Sequence, residues 1–212
     1  TWNNISIVDP IFTSSLLLFA IIAYKTRINR MSWIGLVLAG LYLNFGILQL
    51  NRAEQSIYAL AEKRGHSIEK IMVKPTIGNT ILWRSIYLSD GQFYIDAVLT
   101  GFHKRIYAGT SIEQFDVDKS FSKLDKNTVL YNDIKRFDLF SDGFVSVYPG
   151  KDNVLGDVRY SMNPIATTPL WGVEFDPNNH QKRVAYNFYR DSNKQDRKQF
   201  INMLMNRDVN TQ

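Results

Sequence analysis

Between Pro10 and Leu50 the chain carries three charged side chains, and all of them, Lys25, Arg27 and Arg30, fall within one six-residue loop. Residues 10–24 before the loop and 31–50 after it are uncharged and apolar. The second run has 20 residues, and a helix of that length covers about 30 Å, the thickness of a bilayer's hydrocarbon core. The first reaches a similar length only if it starts near Ile5, which places Asp9 and Pro10 at the edge of the apolar zone. Two buried helices of a soluble protein would read the same way, and the mean hydropathy of the whole chain, -0.20, is that of a soluble domain. The second half supplies that average. Tyr24 and Trp33 sit where interfacial aromatics belong, and basic residues lie between the runs, so a helical hairpin in lipid is the expectation. A cleaved signal peptide fits less well, because no small-residue cleavage site follows Tyr24.

Basic residues gather beside the apolar runs, first in the 25–30 loop and then at Arg52, Lys63 and Arg64, as anionic headgroups would favour. Membrane lipids are therefore the expected partner; the sequence names no protein partner. The positive-inside rule puts the denser loop in the cytoplasm and the larger domain on the opposite side, while the second cluster argues the reverse. The 25 Lys and Arg are interspersed with 20 Asp and Glu without a long basic run, which disfavours nucleic-acid binding. There is no cysteine, so disulfides, thiolate metal sites and cysteine nucleophiles are excluded.

Residues 51–64 are rich in helix formers, with Ala53, Ile57, Leu60 and Ala61 on one face and Gly65 placed as a C-cap, so they are expected to extend the helix of the second apolar run. After Pro75 the texture changes to short aromatic and β-branched runs. Asp90-Gly91 separates residues 80–88 from 93–99, a β-hairpin signature. Similar punctuation precedes strands expected at 144–148 and 154–160, and residues 170–175 and 183–189 supply two more. Helices are expected near 132–140 and 194–206. The fold class is α+β: an N-terminal transmembrane helical hairpin over 1–50, a helical connector over 51–74, and an extramembrane domain over 75–207 with a mainly antiparallel sheet and packed helices.

Chemistry is sparse. His66, His103 and His180 lie far apart with no metal-ligand spacing, so each reads as an ordinary surface or core histidine. No nucleophile elbow, phosphate-binding loop or dinucleotide fingerprint occurs. Asp9 stands out, because a carboxylate at membrane depth is expensive and tends to face a polar interior or a partner charge. It is also well placed as an N-cap with Pro10 at the first helical position, and the two roles are compatible. Asp157 and Arg159 fall on one side of an expected strand and can pair, with Val158 and Tyr160 facing the other way. Arg84 beside Trp83, together with Trp171, can form an aromatic and cationic pocket, although tryptophans more often anchor cores.

Five segments together resemble one family. They are Ile7-Val-Asp-Pro-Ile-Phe-Thr13 opening an apolar helix, Asn51-Arg-Ala53 ending the next, Pro75-Thr-Ile-Gly-Asn-Thr-Ile-Leu-Trp-Arg84, Gly156-Asp-Val-Arg-Tyr-Ser161 and Pro169-Leu-Trp-Gly172. Their order and spacing resemble the bacterial inner-membrane metal-dependent hydrolases, also called LexA-regulated or LexA-binding membrane hydrolases. The resemblance implies a C-terminal portion of a longer membrane protein, located in the bacterial inner membrane. In that family the His- and Asp-rich motifs taken to hold a divalent metal lie upstream of the Asp-Pro segment, so a metal is expected only in the full-length protein and its ligands are not among these residues. It further implies hydrolysis of an ester or phosphoester, lipid-like in character, by metal-activated water. On this reading Asp9 is the catalytic candidate, while Arg84, Arg159 and Trp171 are candidates for substrate contact. The competing expectation is a non-enzymatic, membrane-anchored binding or interaction domain.

Overall fold

The computed structural model describes residues 3–122, 124–189 and 194–209. Helix α1 spans Pro10–Thr26 and α2 spans Asn29–Arg64, joined by a turn in which Arg27 adopts a left-handed conformation. The two run antiparallel: Phe19 meets Gly35, Asp9 meets Tyr42, and Asn4 meets Gly46. Small residues make the close approach possible. Gly35, Ala39 and Gly46 form the buried stripe of this part of α2, and a Cβ on Gly46 would collide with the carbonyl oxygen of Asn4. Small residues along one stripe let two helix backbones approach closely.

No residue of α1 is buried. Leu17, Leu18, Leu36, Val37 and Leu41 are all more than half exposed. Helix α1 and the 31–48 part of α2 therefore do not form a core beneath the strands. Of the two, α2 is long and apolar enough to cross a membrane, and α1, with 17 residues, is a shorter apolar helix.

Beyond Leu50 the same helix changes role. Ala53, Ile57 and Ala61 are buried against Val73, Trp83, Tyr87 and Val98 of the first sheet. Gly65 ends α2 at φ 74°, its N–H bonded to the last helical carbonyls, a conformation open to glycine at little cost. The first sheet is a meander of β1 (Lys70–Pro75), β2 (Leu82–Ser89), β3 (Gln92–Leu99) and β4 (Arg105–Glu113) in that spatial order. Asp90 and Gly91, both at positive φ, turn β2 into β3, as the Asp-Gly pair dictates. Helices α3 (Val117–Ser120) and α4 (Val129–Phe140) follow, and then a second meander: β5 (Val145–Tyr148), β6 (Lys151–Asp157), β7 (Trp171–Glu174) and β8 (Ala185–Phe188). Helix α5 spans Lys194–Leu204.

The α+β class holds, with antiparallel pairing throughout. Three expectations need correction. There are two four-stranded sheets, not one. The connector expected over 51–74 is helical only to Arg64, where α2, continuous with the apolar run as expected, ends, and residues 70–74 belong to β1. The strand expected at 154–160 ends at Asp157, where the chain turns.

Strand β2 is buried along its whole length because both faces of the first sheet are covered. Trp83 and Tyr87 point to α2; Leu82, Ile86 and Leu88 point the other way, toward Phe144, Val158, Ile165 and Met203. The period-2 alternation of strands assigns each side chain to one layer. The second sheet packs Val145, Leu155 and Val173 against Leu130, Ile134 and Phe137 of α4.

Candidate functional site

Two polar constellations follow from this arrangement. The first joins the hairpin to the sheet domain. Asp9 is the N-cap of α1, with φ -115°, and its Oδ1 accepts from the Phe12 N–H at 2.9 Å. The Tyr42 hydroxyl donates to Asp9 Oδ2 at 2.8 Å and lies 3.5 Å from Thr80 Oγ1 on the loop before β2. That loop is held from the other side, because the Gly78 N–H donates to the Val8 carbonyl and to Ser6 Oγ. Asp9, only 4 % exposed, thus combines the capping role with a polar partner across the hairpin.

The second constellation lies on the sheet face turned away from α2. Arg84 points there from β2, and its cross-strand neighbour in register is Lys74 of β1. Like charges placed directly opposite one another destabilise a strand pair, so this placement needs an account. Part of it is Asp157, fully buried at the end of β6. Its carboxylate accepts from the Arg159 backbone N–H at 3.0 Å, an Asx turn that reverses the chain, and takes bidentate donation from Arg159 Nε and Nη2 at 2.7–3.1 Å. The turn also corrects the expected geometry. Because the strand stops at Asp157, Tyr160 does not face away from Arg159 but lies with its ring 5.5 Å from the guanidinium carbon. The same ring sits 3.5 Å beneath Lys74 Nζ and 4.2 Å from the Trp171 ring.

Arg84, a candidate for substrate contact, is instead committed to the protein. Nη1 donates to the carbonyls of Asn163 and Pro164, and Nη2 to those of Val158 and Ala166, at 2.8–3.2 Å. Its Nε has no hydrogen-bond partner among the described residues. Burial pushes the guanidinium down to about 9, with Asp157 opposing. Four carbonyl acceptors favour the charged form, as befits a group that rarely loses its proton. Arg84 is thus a clamp on the 158–166 segment that contributes its charge to the site from below.

Three cations, Lys74, Arg84 and Arg159, therefore share one buried carboxylate. Lys74 is the least satisfied. It makes no hydrogen bond or ion pair among the described residues, and its pKa is lowered to about 8 by burial first and then by Arg159, with Arg84 adding to the effect. On Arg159, Nε and Nη2 are engaged while Nη1 has no hydrogen-bond partner among the described residues. Trp171 Nε1 and Ser161 Oγ are buried without hydrogen-bond partners among the described residues. Lys74, Arg159, Tyr160, Ser161 and Trp171 all remain partly exposed, so the cluster is open to solvent on one side.

Of the four candidates, the structure brings Arg84, Arg159 and Trp171 together and leaves Asp9 in the separate joint at the hairpin. Trp83 is a core anchor, fully buried with Nε1 donating to Thr100 Oγ1. Lys74, which falls within the expected connector, is not among the sequence candidates. The signal was present: β1 precedes a hairpin at a spacing that permits antiparallel pairing, and Lys74 alternates with the buried Val73.

A third cluster is structural. Arg64 donates to both Asp96 oxygens at 2.7 and 2.9 Å and to the Tyr87 hydroxyl. His66 Nδ1 lies 2.8 Å from the same hydroxyl. The other histidines, His103 and His180, are exposed. Among the described residues no group of three His, Cys, Asp or Glu side chains comes together as a cation site. The divalent metal implied by the resemblance therefore finds no ligand set in these residues, and no reaction step can be routed through it. No family model, curated protein or solved structure matches the chain.

Proposed function

We propose that this chain is a membrane-anchored binding domain: the α1–α2 hairpin lies in lipid, and the cluster between the sheets takes up an anionic group of phosphate or carboxylate chemistry. One observation carries the reading. Three cations surround a single buried carboxylate on a half-buried face, and Lys74, largely desolvated yet open to solvent on one side, has no hydrogen-bonding partner among the described residues. An anion seated over Tyr160 would accept from Lys74 Nζ and Arg159 Nη1, raise the lysine's pKa back toward its ordinary value, and relieve the repulsion between β1 and β2. The buried Trp171 N–H is a further donor beside the same ring. The lipid setting is supported by the apolar side chains that α1 and α2 leave exposed along 10–24 and 31–48, far more than a water-facing helix pair carries. Anchorage in a bacterial inner membrane and any hydrolytic activity rest on the family resemblance, and the geometry adds no residue to the hydrolytic reading.

The test is thermal unfolding of the full chain in nanodiscs at pH 7, comparing phosphate with chloride at equal ionic strength. A ligand present at ten times its Kd stabilises by about 1.4 kcal/mol, so a phosphate-specific rise in Tm is expected. Lys74→Met and Arg159→Met should each abolish it. Equal shifts in both salts, or a phosphate shift that survives both substitutions, would overturn the anion site.

A further inference from the structure

The joint between hairpin and sheet domain sits deeper along α2 than the apolar run alone suggests. The 76–80 loop is bonded at the level of Asp9 and Tyr42, and Tyr42 lies eight residues before Leu50, about 12 Å down the helix axis. A polar loop cannot stand in bulk water at that level if the whole of 31–50 is in hydrocarbon. The loop's tip, Ile77, is 70 % exposed, and Ile7 beside it is 88 % exposed. A neighbouring loop has the same character. Thr100 bonds the Ile81 carbonyl, Arg52 reaches the Gly101 carbonyl, and Phe102 projects with no shielding at all. Leu48 on α2 is likewise exposed.

We propose that the 76–79 and 100–104 loops are seated in the lipid interface beside the hairpin, so that the α+β domain rests against the bilayer surface and does not stand off from it on α2. Ile7, Leu48, Ile77 and Phe102 are the exposed apolar side chains of a collar carried by the two loops and by the hairpin segments those loops are bonded to. The charge around the collar suits anionic headgroups. Arg52, His103 and Lys104 flank it, and residues 76–80 and 100–105 contain no acid. Apolar tips with a basic border are what an interfacial element presents to lipid. The occupant is the lipid surface itself.

This inference rests on the membrane-anchored reading, and the absence of native cysteine allows the two to be separated. Single variants Ile77→Cys, Phe102→Cys, Leu38→Cys and Glu113→Cys of the full chain would each carry a nitroxide label. They would be reconstituted in vesicles of mixed zwitterionic and anionic phospholipid and probed with oxygen and with a water-soluble nickel chelate. Glu113 is the exposed distal end of β4 and reports water; Leu38 on α2 reports the hairpin. Labels at 77 and 102 should be open to oxygen and shielded from nickel, approaching the Leu38 result. If 77 and 102 match Glu113 while Leu38 is in lipid, the docked domain is overturned and the anchor stands. If Leu38 also matches Glu113, both fall. Shielding of 77 and 102 from both reagents would mean a protein occupant and would likewise overturn the proposal.

Discussion

At the scale of single residues, charge burial sets what the inter-sheet cluster tolerates. Lys74 ordinarily titrates at 10.5 and is lowered to about 8 by burial and by its cationic neighbours. In the folded chain it loses its proton earlier than in the unfolded chain. Between about pH 8 and 10.5 the unfolded state therefore binds more protons, and stability rises with pH across that window; below about 8 the full cost is present. Lys74→Met should accordingly raise stability in anion-free buffer at pH 7 by about 2 kcal/mol, discounting the lysine's partial exposure, with the gain gone above pH 10.5. Chemical denaturation at pH 7 and 10.5 checks both the sign and the window. Asp157 is the opposite case. Its carboxylate is fully buried and hydrogen-bonded to Arg159, so Asp157→Asn should cost about 3–5 kcal/mol by leaving Arg159 and Arg84 largely uncompensated. A loss below 1 kcal/mol by the same measurement would mean the cations do not depend on it.

At the scale of elements, the hairpin is specified by small residues on one face of α2 and by the Asp9 cap at the start of α1. Gly46 and Gly40 provide an internal comparison. A Cβ on Gly46 collides with backbone, whereas one on Gly40 meets nothing within 4 Å. Gly46→Ala should destabilise by roughly 1–3 kcal/mol through overpacking, while Gly40→Ala should be neutral or gain up to about 1 kcal/mol from helix propensity. Thermal melts in detergent distinguish them, and equal effects would refute the close approach at Asn4. Asp9→Ala removes both the cap and the acceptor for Tyr42, with an expected cost of about 1–2 kcal/mol. Asp9→Asn keeps a capping oxygen and should cost less. The reverse ranking in the same melts would point to the charge itself as the essential feature.

At the scale of the whole molecule, the sidedness argument changes once the structure is known. Arg64 had counted with Arg52 and Lys63 as a basic flank of the membrane, yet it is engaged bidentately with the buried Asp96. Hydrogen bonding to Asp96 raises its pKa above the usual arginine value. On the proposed membrane-anchored reading, removing it from the tally leaves the 25–30 loop as the stronger cytoplasmic signal, and the sheet domain is then expected outside. Protease added to intact spheroplasts should degrade the domain, and full protection would reverse the orientation. The two apolar runs, the Asp-Gly hairpin, the Gly65 stop and the Asp9 cap were legible in the sequence, because each is fixed by local rules: periodicity, left-handed φ and the first-turn N–H groups of a helix. The number of sheets was not, since identical antiparallel patterns close into one sheet or two depending on what packs between them. Nor was the cationic cluster. Lys74, Arg84 and Arg159 are distant in sequence, and only strand register together with the chain reversal at Asp157 brings them to one face, where burial turns ordinary charges into a site.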